Sequence, residues 1–127
     1  MNKTLDLVLV NPCSRAQVYQ SLGAELTAVE NPVWAGLMAT FCRRKGLSIE
    51  IIDAEAEGLG HAAVAERVRH LKPVLTAVVA YGHQPSASTQ IMGAAGAVTS
   101  AIKALTSSAA SAGWSLRRLL AFVMYAW

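Results

Sequence analysis

The run Leu5-Asp6-Leu7-Val8-Leu9-Val10, broken by Asn11-Pro12, admits few folds. It is apolar at nearly every position rather than at alternate ones, and a turn dipeptide closes it, which is the pattern of a strand buried on both faces. Such a strand sits inside a sheet. If the sheet is parallel, the segment that leaves its carboxyl end at Asn11 lies where open α/β sheets bind ligands, at the switch in strand order.

Two later runs repeat the pattern. Residues 47–53, Leu-Ser-Ile-Glu-Ile-Ile-Asp, and 74–80, Val-Leu-Thr-Ala-Val-Val-Ala, read as second and third strands. Before the second, Asn31-Pro32 suits a helix start, with Asn as N-cap and Pro at the first helical position. Trp34, Leu37, Met38 and Phe41 then recur at helical spacing as an apolar stripe, and Arg43, Arg44 and Lys45 fill the last turn before Gly46. Between the second and third strands, an acidic connection leads to a helix over 61–72 with Val64, Val68 and Leu71 on one face, stopped by Pro73. After the third, Ser86 is placed to cap a helix over 87–105 whose stripe is Ile91, Ala95, Val98, Ile102 and Leu105. Gly93, Ala94, Gly96 and Ala97 interleave with that stripe, at a helix cost of roughly 1 kcal/mol for each Gly relative to Ala, which close packing would offset.

Three strand–helix units in succession call for right-handed crossovers, and so for a parallel sheet with helices on both faces and an order beginning 2-1-3. The expected class is therefore α/β, a Rossmann-like or flavodoxin-like module, in which the segments after the first and third strands line one cleft. A chain of 127 residues suits one such core. We assign residues 1–106 to it and treat 107–127 as a divergent apolar tail, in which 119–125 read equally as a fourth strand or a helix, with a capacity for self-association or for joining a partner chain. The segment 13–31 is long for a strand-to-helix loop, yet Ala16, Val18, Tyr19, Leu22, Leu26 and Val29 supply apolar anchors, so it reads as ordered, with a short helix near 16–22.

Composition removes several functions. The apolar fraction of 54% against a charged fraction of 15% excludes disorder, and no uninterrupted apolar stretch reaches the roughly 20 residues of a spanning helix. With no signal-peptide pattern, and with Cys13 and Cys42 in neither a CxxC nor a metal-type spacing, a cytoplasmic chain with reduced thiols is expected. The net charge of +3 is unevenly spread: every carboxylate lies at or before Glu66. The bases are dispersed and no recognition motif accompanies them, which argues against nucleic acid. Asp53 at the end of the second strand would suit a ribose, but that role needs GxGxxG after the first strand, and Asn11-Pro12-Cys13-Ser14-Arg15 stands there instead. A receiver domain would need an aspartate where Ala80 and Tyr81 stand.

The richest polar cluster is Tyr81-Gly82-His83-Gln84-Pro85-Ser86-Ala87-Ser88-Thr89, a turn running into a helix N-terminus, where donors and a partial positive dipole suit ligand oxygens. No nucleophile–base pair or paired carboxylates can be placed in the cleft by spacing, so an independent enzyme is the least favoured reading.

Three stretches carry a resemblance: Leu-Val-Asn-Pro at the first strand end, Asn-Pro-Val-Trp-Ala-Gly-Leu-Met-Ala opening a helix, and Arg-Lys-Gly-Leu-Ser-Ile-Glu-Ile-Ile-Asp-Ala. In order and spacing they resemble the N-terminal cobalamin-binding domain of radical S-adenosylmethionine proteins, over residues 5–105. The resemblance implies a module that holds the corrin over the carboxyl ends of the strands, ahead of a barrel that carries the radical chemistry, with no catalysis of its own. Members often show a second proline where Cys13 stands. The DxHxxG element that supplies a lower axial histidine elsewhere is missing, since His61, His70 and His83 all lack an Asp two residues earlier. The CxxxCxxC of an iron–sulfur cluster is missing too, and the family's fourth strand with its Gly-Gly turn has no match in 106–127, so the expectation is a truncated domain without a cluster.

On this resemblance the cofactor-binding residues are Asn11, Pro12, Cys13, Ser14, Arg15, Tyr81, Gly82, His83, Ser86, Ser88 and Thr89. Tyr81 would pack on the macrocycle. A cobalt ligand, if the chain supplies one, is His83, although a loop imidazole is more often simply polar. The alternatives are a flavodoxin-like binder of a flavin or nucleotide, and a ligand-free interaction domain.

Overall fold

In a computed structural model, which describes residues 5–14, 29, 31–82, 85–109 and 118–125, the first apolar run forms β1 (Leu7–Asn11). The elements that follow are α1 (Val33–Arg44), β2 (Ile49–Asp53), α2 (His61–Leu71), β3 (Leu75–Gly82), α3 (Pro85–Ala109) and β4 (Arg118–Tyr125). All pairing is parallel, in the order β2-β1-β3-β4. The α/β class and the 2-1-3 start expected from the sequence are thus what the chain adopts, and of the two conformations left open for residues 119–125 it takes the strand.

Both faces of β1 are covered. Val8 and Val10 join Ile52, Val78 and Ala80 beneath α2 and α3, which contribute Val64, Val68, Ala95, Val98 and Ile102. Leu9 faces the other way and packs with Ala77 and Val79 against α1. Burial of this apolar surface, at roughly 25 cal/mol per Å², is the main stabilising term. Where the strands begin, Ser48 donates its N–H and its hydroxyl to Asp6 Oδ2, each at 2.7 Å, which ties β2 to β1.

Several local expectations need correction. The α1 stripe is not the one read from spacing: Ala35 and Ala39 meet the sheet, flanked by Trp34, Met38 and Cys42, while Leu37 and Phe41 stay exposed. Small residues win that face because they let the helix axis approach the strands, and the larger side chains are left to the flanks. Asn31 is not the N-cap; Pro32 holds that position without a side-chain hydrogen bond, and the Asn31 carbonyl accepts the Val33 N–H at 2.8 Å. Helix α3 starts at Pro85, so Ser86 lies inside its first turn rather than capping it. It also continues through residues 106–109, where the Thr106 and Ser108 hydroxyls donate back to the Lys103 and Leu105 carbonyls at 3.0 and 2.9 Å and so tolerate a helical backbone.

Gly96 was expected to allow close packing, yet a Cβ there would meet nothing within 4 Å. Gly96→Ala should therefore raise unfolding stability by about 1 kcal/mol in urea denaturation. Thr76 is fully buried on β3 with no hydrogen-bond partner for Oγ1 among the described residues. Replacing it by the near-isosteric Val should stabilise the fold by about 1 kcal/mol, seen as a higher thermal midpoint.

Candidate functional site

The sheet's carboxyl edge is stepped. Register pairs Asn11 with Asp53, so β1 and β2 end level with each other. β3 is already at Val78 opposite Val10 and runs on to Gly82, where it ends beside Tyr125 of β4. Three residues of β3 therefore stand beyond the end of β1, a ledge of roughly 10 Å at about 3.3 Å per residue. Sequence reasoning pointed to this edge, and the chain does bring residues 11–14, Tyr81, Gly82 and the first turns of α3 to it.

The floor of the step is built from the ends of β1 and β2. Asn11 is only 7% exposed, and its Nδ2 donates to Asp53 Oδ1 at 2.8 Å. The Asn11 carbonyl accepts the Ala54 N–H at 3.0 Å. Asp53 Oδ1 also accepts the Ala56 N–H at 3.2 Å, so this carboxylate holds the turn that follows its own strand. Three residues past Asn11 and two past Asp53, the Ser14 N–H donates to Glu55 Oε2 at 2.8 Å. The segments that end β1 and β2 are thus tied by three hydrogen bonds, and Asn11 spends one side-chain donor on the scaffold. Pro12 is buried above it, and Cys13 is half-buried against the core under α2 and α3.

The wall is the protruding backbone of β3, which α3 leaves two residues later; Ser86, Ser88 and Thr89 all lie in its opening turns. First-turn N–H groups have no intrahelical partner, so Ser86, Ala87 and Ser88 present backbone donors at the crevice's edge. Arg15 and His83 lie outside the described residues. His61 and His70 open and close α2, so neither is carried by the turns after β1 and β3; the exposed His70 is 2.9 Å through Nδ1 from the Glu66 carbonyl. No group of three or more His, Cys, Asp or Glu able to hold a metal ion occurs among the described residues.

Sequence reasoning weighed Asp53 only as a ribose ligand and left Glu55 in an acidic connection, yet these two tie the floor together. The available signal was the pairing of two strands that both end on a polar residue, Asn11 and Asp53. Among the described residues of the floor and wall there is no Lys or Arg, and the floor's Asp53 and Glu55 carboxylates are already engaged by Asn11, Ala56 and Ser14. The nearest ion network is separate: Arg67 of α2 donates to Glu57 and, at 3.2 Å, to Glu50 of β2. Burial opposes the Arg67 charge, but the two carboxylates outweigh it and hold its pKa above the usual arginine value.

Comparison with protein-family models, with curated proteins and with solved structures finds no match. None of the described helices is long and apolar enough to cross a membrane.

Removing Asp53 leaves the buried Asn11 amide without its acceptor. Asp53→Ala should lower stability by about 2 kcal/mol, and Asn11→Ala on top of it should add much less than it does alone, with a coupling of about 1 kcal/mol in a double-mutant cycle read by urea denaturation.

Proposed function

We propose that the chain is a cobalamin-binding module of the kind that precedes the barrel of radical S-adenosylmethionine proteins, and that it catalyses nothing alone. The observation that carries the reading is the step at the carboxyl edge, lined by acceptors on its floor and by backbone donors at the start of α3. The order β2-β1-β3 puts the switch in strand order there: β1 is followed by α1 on one face and β3 by α3 on the other.

The donor set suits the group. A corrin carries a rim of neutral carboxamides, each with an acceptor oxygen and a donor nitrogen. Asp53, which Asn11 and Ala56 hold through Oδ1, and Asn11 Oδ1 would offer acceptors to the amide nitrogens, and the N–H groups of Ser86, Ala87 and Ser88 donors to the amide oxygens. Tyr81 and Gly82, at the end of β3, stand at the level where the macrocycle would rest. The Asn11–Asp53 and Ser14–Glu55 ties keep this floor from collapsing into the space. Bound cobalamin supplies cobalt-centred group transfer, and the chain's part is to bind and orient it. The reading goes with a reducing cytoplasm, where Cys13 and Cys42 stay thiols. A flavin nucleotide fits less well, because its phosphate dianion would approach two carboxylates with no described cation beside them.

Equilibrium dialysis of the full chain against hydroxocobalamin, with flavin mononucleotide in a parallel cell, tests the reading. The expected result is one cobalamin retained per chain with a shifted visible spectrum, lost on Ser86→Trp, and no flavin retained. A cooperatively melting chain that retains no cobalamin would overturn it, and retained flavin would move the assignment to a flavodoxin-like carrier.

A further inference from the structure

Hydrogen-bonding chemistry fixes which way the Asn11 side chain is turned. Its amide lies 2.8 Å from Asp53 Oδ1, and a carboxylate at neutral pH only accepts, so the group directed at Asp53 is the NH2. The amide oxygen Oδ1, on the other branch, faces away from that carboxylate. The Ala56 N–H, at 3.2 Å from the same Asp53 oxygen, holds the carboxylate in place, so the amide is not free to turn over. Leu7, Leu9, Ile49 and Ile51 are grouped on the α1 face of the sheet, and Asn11 and Asp53 continue their alternation onto that face at the carboxyl edge. Asn11 is buried, and among the described residues no donor reaches its Oδ1.

We propose that Asn11 Oδ1 is the specificity element of the step: it accepts a hydrogen bond from a primary-amide N–H of the ligand and, with the Asp53 charge behind it, rejects a carboxylate in the same place. The inference rests on the cobalamin reading and narrows it, from corrins in general to corrins whose peripheral acid at that position has been amidated.

An amide and a carboxylate have nearly the same shape, so the choice between them is made by protons and charge. A carboxylate has no proton to give, and against Oδ1 it sets lone pair against lone pair. It also brings a further negative charge beside Asp53 and Glu55, with no Lys or Arg among the described residues of the floor and wall to offset it. A primary amide avoids both penalties. A site built to hydrogen-bond a donor rejects the analogue that lacks it more sharply than an apolar pocket rejects a change of size, because its own buried polar group is left unpaired.

Equilibrium dialysis of the full chain against hydroxocobalamin, and in separate cells against its monocarboxylic acids, each with one peripheral amide hydrolysed, reads the selectivity as a ratio of dissociation constants. One isomer is expected to bind at least about tenfold more weakly than hydroxocobalamin, and the others within about threefold. The methyl ester of that weak acid, neutral but without a donor, should fall between the acid and the amide. In Asp53→Asn the neighbour keeps its size, loses its charge and can meet Asn11 with either end of its own amide, so Asn11 can present its NH2 to the ligand. The ratio for the weak isomer should then shrink to about threefold or less. Circular dichroism and urea denaturation check that the variant is folded. Retention of hydroxocobalamin together with equal retention of every monocarboxylic acid would overturn the selectivity and leave the module reading standing. The same holds for an ester as tight as hydroxocobalamin, or an unchanged ratio in folded Asp53→Asn. A folded native chain that retains no corrin would overturn both.

Discussion

The structure depends on β1 being enclosed on four sides. Its backbone is hydrogen-bonded to β2 along one edge and to β3 along the other, and its side chains are buried above and below, with Val8 and Val10 at 0% exposure and Leu9 at 2%. A strand in that position has no solvent-facing side on which to carry a polar group. Polarity is displaced to its ends: Asp6 binds Ser48 where the strand enters, and Asn11 binds Asp53 where it leaves. The same enclosure that supplies most of the apolar burial therefore decides where chemistry can sit.

The two faces are filled by different means. Under α2 and α3 the contact is made by β-branched residues, Val64, Val68, Val98 and Ile102, with alanines between them. On the other face α1 approaches through Ala35 and Ala39, and the bulk is carried by Trp34 and Met38 at its sides. A helix seated on alanines sits low on its sheet and cannot turn its largest residues inward as well. That compromise leaves Val33, Leu37 and Phe41 outside.

At the carboxyl edge, unequal strand lengths matter more than any single residue. Had β3 ended level with β1, the edge would be flat; the further residues to Gly82 turn it into a step with a floor and a wall. The floor is held by hydrogen bonds between loops that are 41 and 42 residues apart in sequence, so it is a product of the strand register rather than of either loop. The cobalamin reading rests on this step together with the three sequence stretches that resemble the family.

Much of this architecture was written locally. Continuous apolar runs ending in Asn-Pro, Asp and Tyr-Gly, separated by stretches of helical period, are enough to specify parallel strands and their order, because a strand apolar on both faces has only the interior of a sheet to occupy. The sequence by itself also pointed to the carboxyl edge of the sheet, where β1 ends at Asn11 and β3 at Gly82. What only the tertiary structure decided were choices between residues of similar hydrophobicity or polarity. It buried Ala35 and Ala39 in place of Leu37 and Phe41, because distance of approach to the sheet outweighs side-chain hydrophobicity there. It committed the Asn11 amide to Asp53, made Glu55 part of the floor, and settled residues 118–125 as a strand beside β3. Each of these depends on which distant segment lies alongside, and that is set by register and packing, which no local window of the chain contains.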